Sequence, residues 1–102
     1  MEPSDFGRFS DPALLILASL AGGEKHGYAM MEDIQAMTGV HLGPGTLYGA
    51  LSRLEQSGMI QALPAEDRRR PYQLTTQGKA FLSQYLASLN NFVSIGLMRL
   101  GA

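Results

Sequence analysis

Between Ala80 and Met98 the chain carries no charged residue, yet its apolar positions keep the spacing of a helix. Leu82, Leu86, Leu89, Val93 and Leu97 follow in steps of four and three, which lines them along one side. Phe81, Tyr85, Phe92 and Ile95 form a second line on a neighbouring face. A helix apolar on two faces must be covered on two faces. The chain's own first helix can supply one cover, but a chain of 102 residues offers no further element for the other. The pattern therefore predicts a symmetric homodimer, with Leu82, Leu86, Leu89, Phe92, Val93 and Leu97 as the dimerisation residues. Burial of this helix inside a larger monomer is the competing reading. A hydrophobic content of 45% against 17% charged also suits a chain with a partner-covered surface.

A second helix is equally well punctuated. Pro44 suits the first helical position, where its missing N–H would be unpaired anyway. Leu47, Ala50, Leu51 and Leu54 fall on one face, and Gly58 stands where a left-handed residue ends a helix. The opposite face carries Gly45, Thr46, Tyr48, Gly49, Ser52, Arg53 and Gln56, small or hydrogen-bonding groups with one cation. That composition suits a major groove, although an ordinary amphipathic helix on a core would share its inner face.

The segment downstream of Gly58 separates the two readings. Ile60 and Leu63, then Tyr72 and Leu74, fit two short strands with one face inward. Their connection carries Glu66 and Asp67, then Arg68, Arg69 and Arg70. Such a run is usually a solvated loop. Placed on a ribbon beside a helix of this kind, it is suited to phosphates or to a minor groove. Helix, ribbon and basic tip together predict a mainly α fold with a small β-wing (α+β), a winged helix-turn-helix with a long C-terminal dimerisation helix. Thr46, Tyr48, Gly49, Ser52 and Arg53 are the candidate groove residues, and Arg68, Arg69 and Arg70 the candidate wing contacts.

The net charge of −1 is unusual for a nucleic-acid-binding domain. Its distribution matters more. Residues 1–44 hold two cations against six carboxylates, whereas residues 45–79 hold five cations against three.

In order and spacing, these motifs resemble the short subfamily of PadR-like transcriptional regulators over roughly residues 12–86. The resemblance rests on His26-Gly27-Tyr28, Pro44-Gly45-Thr46-Leu47-Tyr48, Arg53-Leu54-Glu55, Gly58-Met59-Ile60, and Leu74-Thr75 followed by Gly78. It implies a homodimeric DNA-binding protein whose C-terminal helix forms much of the interface, with an effector that alters operator affinity. The chain departs from the family pattern at two places. Gly43 stands where a capping hydroxyl is common, and Gly49 where a basic residue is common. A helical glycine costs about 1 kcal/mol relative to alanine. The expected function is sequence-specific binding of a pseudo-palindromic double-stranded DNA operator, as a repressor. The alternative is a winged-helix module for protein interaction or assembly that does not bind DNA.

The remaining segments are expected to complete a single domain over 1–102, with the winged helix-turn-helix over 10–75 and the dimerisation helix over 76–102. Asp11 and Pro12 cap and open a helix through Leu20, which Gly22-Gly23 ends. A further helix spans about Gly27 to Thr38, with Ile34 and Met37 inward. Thr75 caps the last helix. Residues 1–9 read as loosely ordered. Phe6, Phe9, Tyr85, Phe92 and Met98 could line a pocket for a small aromatic or apolar effector, and a packed core is the plainer reading of them. His26 and His41 lack companions for a metal site, and no nucleophile with a base is evident, so neither enzyme activity, metal nor cofactor is expected. His26 reads instead as a partner for backbone groups at a helix entrance. No cysteine, membrane-spanning run or signal peptide is seen, which implies a cytoplasmic protein.

Overall fold

Pro12 and Asp11 start the first helix as their chemistry requires, the Asp11 carboxylate accepting from the Ala13 N–H at 3.0 Å. In the computed structural model, which describes residues 11–101, the order is α1 (Pro12–Ala21), β1 (Lys25–His26), α2 (Gly27–Thr38), α3 (Pro44–Gln56), β2 (Ile60–Ala62), β3 (Pro71–Leu74) and α4 (Thr76–Arg99). The architecture is mainly helical with one small antiparallel sheet, a winged helix. The expectations at Phe6 and Phe9, and for residues 1–9 as a whole, lie outside the described residues.

Helix α1 is the centre of the domain. Four successive residues, Leu14 to Leu17, are buried, which an amphipathic helix with one wet face could not achieve. They are buried because α2, α3, β3 and α4 all pack on α1. Met30 and Ile34 from α2, Leu47, Ala50, Leu51 and Leu54 from α3, and Ile60 and Leu74 from the sheet close the core around it. One polar side chain is buried there. Ser19 Oγ donates to Asp33 Oδ2 at 2.6 Å, while Lys25 Nζ donates to the Ser19 carbonyl at 2.6 Å. These bonds tie α1, α2 and β1 into one unit.

Three expectations change. Met37 is 47% exposed rather than inward. The buried stripe of α2 passes through Met30 and Ile34 in a step of four, so it drifts toward Thr38 and leaves Met37 on the wet side. Thr38 turns the chain, its hydroxyl donating to the Ile34 carbonyl and accepting from the Val40 N–H. The sheet, in turn, has three strands in the order β1-β3-β2, not two. Lys25 pairs with Tyr72 and His26 with Pro71, while Ile60, Gln61 and Ala62 pair with Leu74, Gln73 and Tyr72. Strand β2 stops at Ala62; Leu63 lies beyond it but still donates its N–H to the Pro71 carbonyl at 2.8 Å. Finally, Leu82 is 4% exposed within its own protomer and belongs to the core, not to the free face of α4.

The junction between α3, the sheet and α4 is tightly drawn. Gly58 ends α3 with φ +80, a left-handed conformation that costs glycine nothing. Its carbonyl accepts from Thr75 Oγ1 at 2.6 Å, and that hydroxyl oxygen accepts from the Gly78 N–H at 3.0 Å as the cap of α4. Thr75 also donates its backbone N–H to the Met59 carbonyl. Gly78 then lies so close that a Cβ there would run into that Met59 carbonyl, which is backbone and cannot swing away. Beyond Leu82, Leu89 is half-buried against the core and Tyr85 borders an apolar groove beside Leu14, Leu17 and Leu54, while Phe92, Val93, Leu97 and Met98 are exposed.

Gly78→Ala should therefore destabilise the domain by about 1–3 kcal/mol, the range for overpacking a tight contact. Gly49→Ala, whose Cβ would meet nothing nearer than 3.7 Å, should instead gain up to about 1 kcal/mol. Urea unfolding of the two variants checks the opposite signs.

Candidate nucleic-acid interface

Helix α3 turns a bare face outward. Leu47, Ala50, Leu51 and Leu54 hold its inner face in the core, which leaves Thr46, Tyr48, Ser52 and Arg53 exposed and Gly49 half-buried. Gly43 at the N-cap offers no side-chain bond, so the first turn rests on Pro44 and on the Leu47 N–H donating to the Gly43 carbonyl. Gly49 has a local role as well. The Arg53 guanidinium lies back over it, with Nη1 3.7 Å from where a Cβ would stand.

The wing tip is a two-residue turn. Glu66 and Arg69 exchange both backbone hydrogen bonds, at 2.7 and 2.8 Å. Between them Asp67 and Arg68 have φ 47 and 68, the left-handed pair of a type I′ turn. Aspartate accepts that conformation readily, whereas arginine seldom adopts it. The turn thus sets Arg68 at the apex, with Arg69 and Arg70 entering β3.

The helix and the wing meet across a cleft of about 330 Å³. Arg68, Arg69, Arg70 and Tyr72 form its wing wall; His26, Gly27 and Tyr28 at the start of α2, with Tyr48 from α3, form the other. Three of the chain's four tyrosines therefore share one cleft with three arginines. Tyr48 lies across the start of α2, and a Cβ on Gly27 would stand 2.9 Å from its Cζ. Burial raises the Tyr72 hydroxyl above its ordinary pKa, with Glu55 and Tyr48 adding to the effect and Arg70 opposing it. Tyr72 accordingly remains a neutral phenol, able both to donate and to accept.

The structure brings Tyr48 together with Arg68, Arg69 and Arg70, while Thr46, Ser52 and Arg53 stay on the open face of α3 outside this cleft. Sequence reasoning overlooks His26, Tyr28 and Tyr72 as lining residues. The His26-Gly27-Tyr28 tripeptide is the available signal, since Gly27 is what lets Tyr48 approach. The chemistry on offer is anion binding and aromatic contact. Among the described residues no group of three histidines, cysteines or carboxylates could hold a metal ion.

The candidate effector residues are dispersed. Tyr85 borders an apolar groove of about 220 Å³ with Leu14, Leu17, Leu54, Met59 and Phe81, its ring 6.1 Å from that of Phe81. Phe92 is 73% exposed, and Met98 lies about 20 Å farther along the helix than Tyr85. One protomer cannot gather all three around one ligand. Apart from Leu82, the candidate dimerisation residues are accessible: Leu86, Phe92, Val93 and Leu97 are exposed and Leu89 is half-buried.

Comparison with known proteins gives this geometry a family. Residues 16–84 match the Transcriptional regulator PadR-like family. The chain belongs to that family of transcriptional regulators. It is similar to a transcriptional regulator from Clostridium thermocellum, at 28% identity and TM-score 0.72, covering 81% of this chain and 86% of that one. Its fold is shared with a PadR family transcription regulator from Clostridium difficile, at 24% identity and TM-score 0.78, covering 87% and 97%. It is also 42% identical over 82 residues to an uncharacterized 37.1 kDa protein in transposon TN4556 of Streptomyces fradiae. That match covers 80% of this chain but 24% of the relative, so the chain spans about a quarter of that protein's length.

Gly27→Ala should cost about 1–3 kcal/mol by forcing Tyr48 and Leu47 aside. In a Tyr48→Ala background the same change should cost less than half as much, because the obstructing ring is gone. A double-mutant cycle by thermal unfolding checks the coupling.

Proposed function

We propose that this chain acts in the cytoplasm as a homodimeric, sequence-specific repressor that binds a pseudo-palindromic DNA operator. One observation carries the reading: Tyr48 from α3 and the Arg68–Arg70 run from the wing face a common cleft, beside an α3 face that packs on nothing. In this reading Thr46, Ser52 and Arg53 meet base edges in a major groove, and the wing cations hold the backbone. Residues 10–75 do the binding and residues 76–102 the pairing.

The exposed line through Leu86, Phe92, Val93 and Leu97 supports pairing through α4, since so much apolar surface on one projecting helix is unfavourable in water. Two-fold pairing would set the recognition helices about 34 Å apart, the spacing of successive major grooves. A small aromatic or apolar effector acting beside Tyr85 would press on both α1 and α4, and so on the distance between the two reading helices.

Arg53→Ala should weaken operator binding by about 1–3 kcal/mol if the guanidinium reads a base, as measured by fluorescence anisotropy on genomic fragments retained by the protein. Retention no greater than on competitor DNA would leave the protein-interaction module as the standing reading. Phe92→Asp, which puts a charge on the exposed apolar line, should convert the dimer to monomer in analytical ultracentrifugation. A dimer that survives this change together with Val93→Asp would rule out α4 as the interface.

A further inference from the structure

His26 stands between two donors. Its Nδ1 lies 3.3 Å from the Ala29 backbone nitrogen, in the capping position of α2. Its Nε2 lies 3.3 Å from Nη1 of Arg69 on the wing. A backbone amide and a guanidinium can only donate, so both contacts ask the ring to accept. A neutral imidazole has one bare nitrogen, and its other nitrogen carries the proton. The two bonds therefore exclude each other: His26 either caps α2 or holds the wing.

We propose that His26 is a positioning residue that links the state of the wing to the start of α2. In the free protein the bare Nε2 accepts from Arg69, and Nδ1 carries the proton. When Arg69 moves to a DNA phosphate, Nδ1 gives its proton to water and Nε2 takes one, so the ring's charge is unchanged. Nδ1 then accepts from Ala29 and caps the helix. This inference rests on the DNA-binding reading of the wing.

The order of strengths supports this assignment. A bond donated by a charged guanidinium is stronger than one donated by a neutral amide, which gives Arg69 the first claim on the ring. Glu24, Glu66 and Asp67 border the pair on its outer side. None reaches Arg69 within ion-pair distance, the one ion pair among the described residues being Lys25 with Asp33. A phosphate, carrying a full negative charge, outcompetes a neutral imidazole for the same guanidinium. The consequence extends to α3, because the segment that His26 caps begins at Gly27, directly beneath Tyr48.

Two-bond proton–nitrogen correlation spectra of uniformly labelled protein test the assignment, with His41, the only other histidine, as internal reference. The free protein should show His26 protonated on Nδ1. Arg69→Ala, without DNA, and the wild-type operator complex should both show it protonated on Nε2. Amide exchange at Ala29 should slow about fivefold in both, the ratio expected from an N-cap worth about 1 kcal/mol. In His26→Asn, where the side chain can cap but has no second ring nitrogen, Ala29 exchange should not respond to the Arg69→Ala change. A free wild-type ring already protonated on Nε2, or a tautomer unaltered by Arg69→Ala, overturns the proposal. Failure to bind operator would count against the DNA-binding reading alone, since the Arg69→Ala comparison needs no DNA.

Discussion

The backbone of Gly78 packs so near the Met59 carbonyl that there is no room for a Cβ, and this close approach of two backbone segments fixes where α4 leaves the domain. Met59 comes directly after the glycine that ends α3, and Gly78 sits in the first turn of α4. Pressing one against the other leaves α4 a single way to leave the domain. Thr75 reinforces the contact by donating its hydroxyl to the Gly58 carbonyl while accepting from the Gly78 amide. A side chain larger than hydrogen at position 78 would have to push apart two backbone segments, and neither can relax by rotating a side chain. The exposed line of α4 therefore holds a definite orientation relative to the outer face of α3.

Much of this was legible in the sequence because helices announce their ends locally. Pro12, Pro44, Thr75 and Gly58 each do at one position what a cap or stop residue does, and the structure places helix boundaries within a residue or two of them. The core face of α3 comes from spacing alone. Strand β1 does not, since two residues carry no alternation, and its existence depends on β3 lying beside it in the fold. Met37 departs from its expected place for a related reason. A stripe stepping by four drifts around the helix, and only the position of α1 decides which edge stays dry.

The candidate site was legible in halves. The three arginines and the outer face of α3 can be read along the chain, but the cleft joining them cannot. It is made by residues far apart in sequence, with His26 and Tyr28 meeting Tyr48 and the wing only because Gly27 leaves room for a tyrosine ring. Leu82 shows the opposite limit. Its place in the apolar line of α4 does not distinguish the half-turn that faces α1 from the turns beyond it, which project into solvent.

A chain with net charge −1 must approach a polyanion by orientation rather than by bulk attraction. Along the sequence the carboxylates lie mainly before residue 44 and the surplus cations mainly in α3 and the wing. In the proposed complex few cations would mean few displaced counterions per protomer, and a correspondingly shallow dependence on salt. Binding of this kind cannot draw most of its strength from phosphates. On the proposed reading it would draw more from the fit of uncharged groups, which suits the make-up of the outer face of α3: Thr46, Tyr48 and Ser52 around Arg53. Doubling that face by two-fold pairing would double the fitted surface for the cost of ordering one complex. On that reading a domain with so small a surplus of cations in α3 and the wing would depend more on a second copy than a strongly basic one, which links the uncharged stretch of α4 between Ala80 and Met98 to the modest charge of the wing.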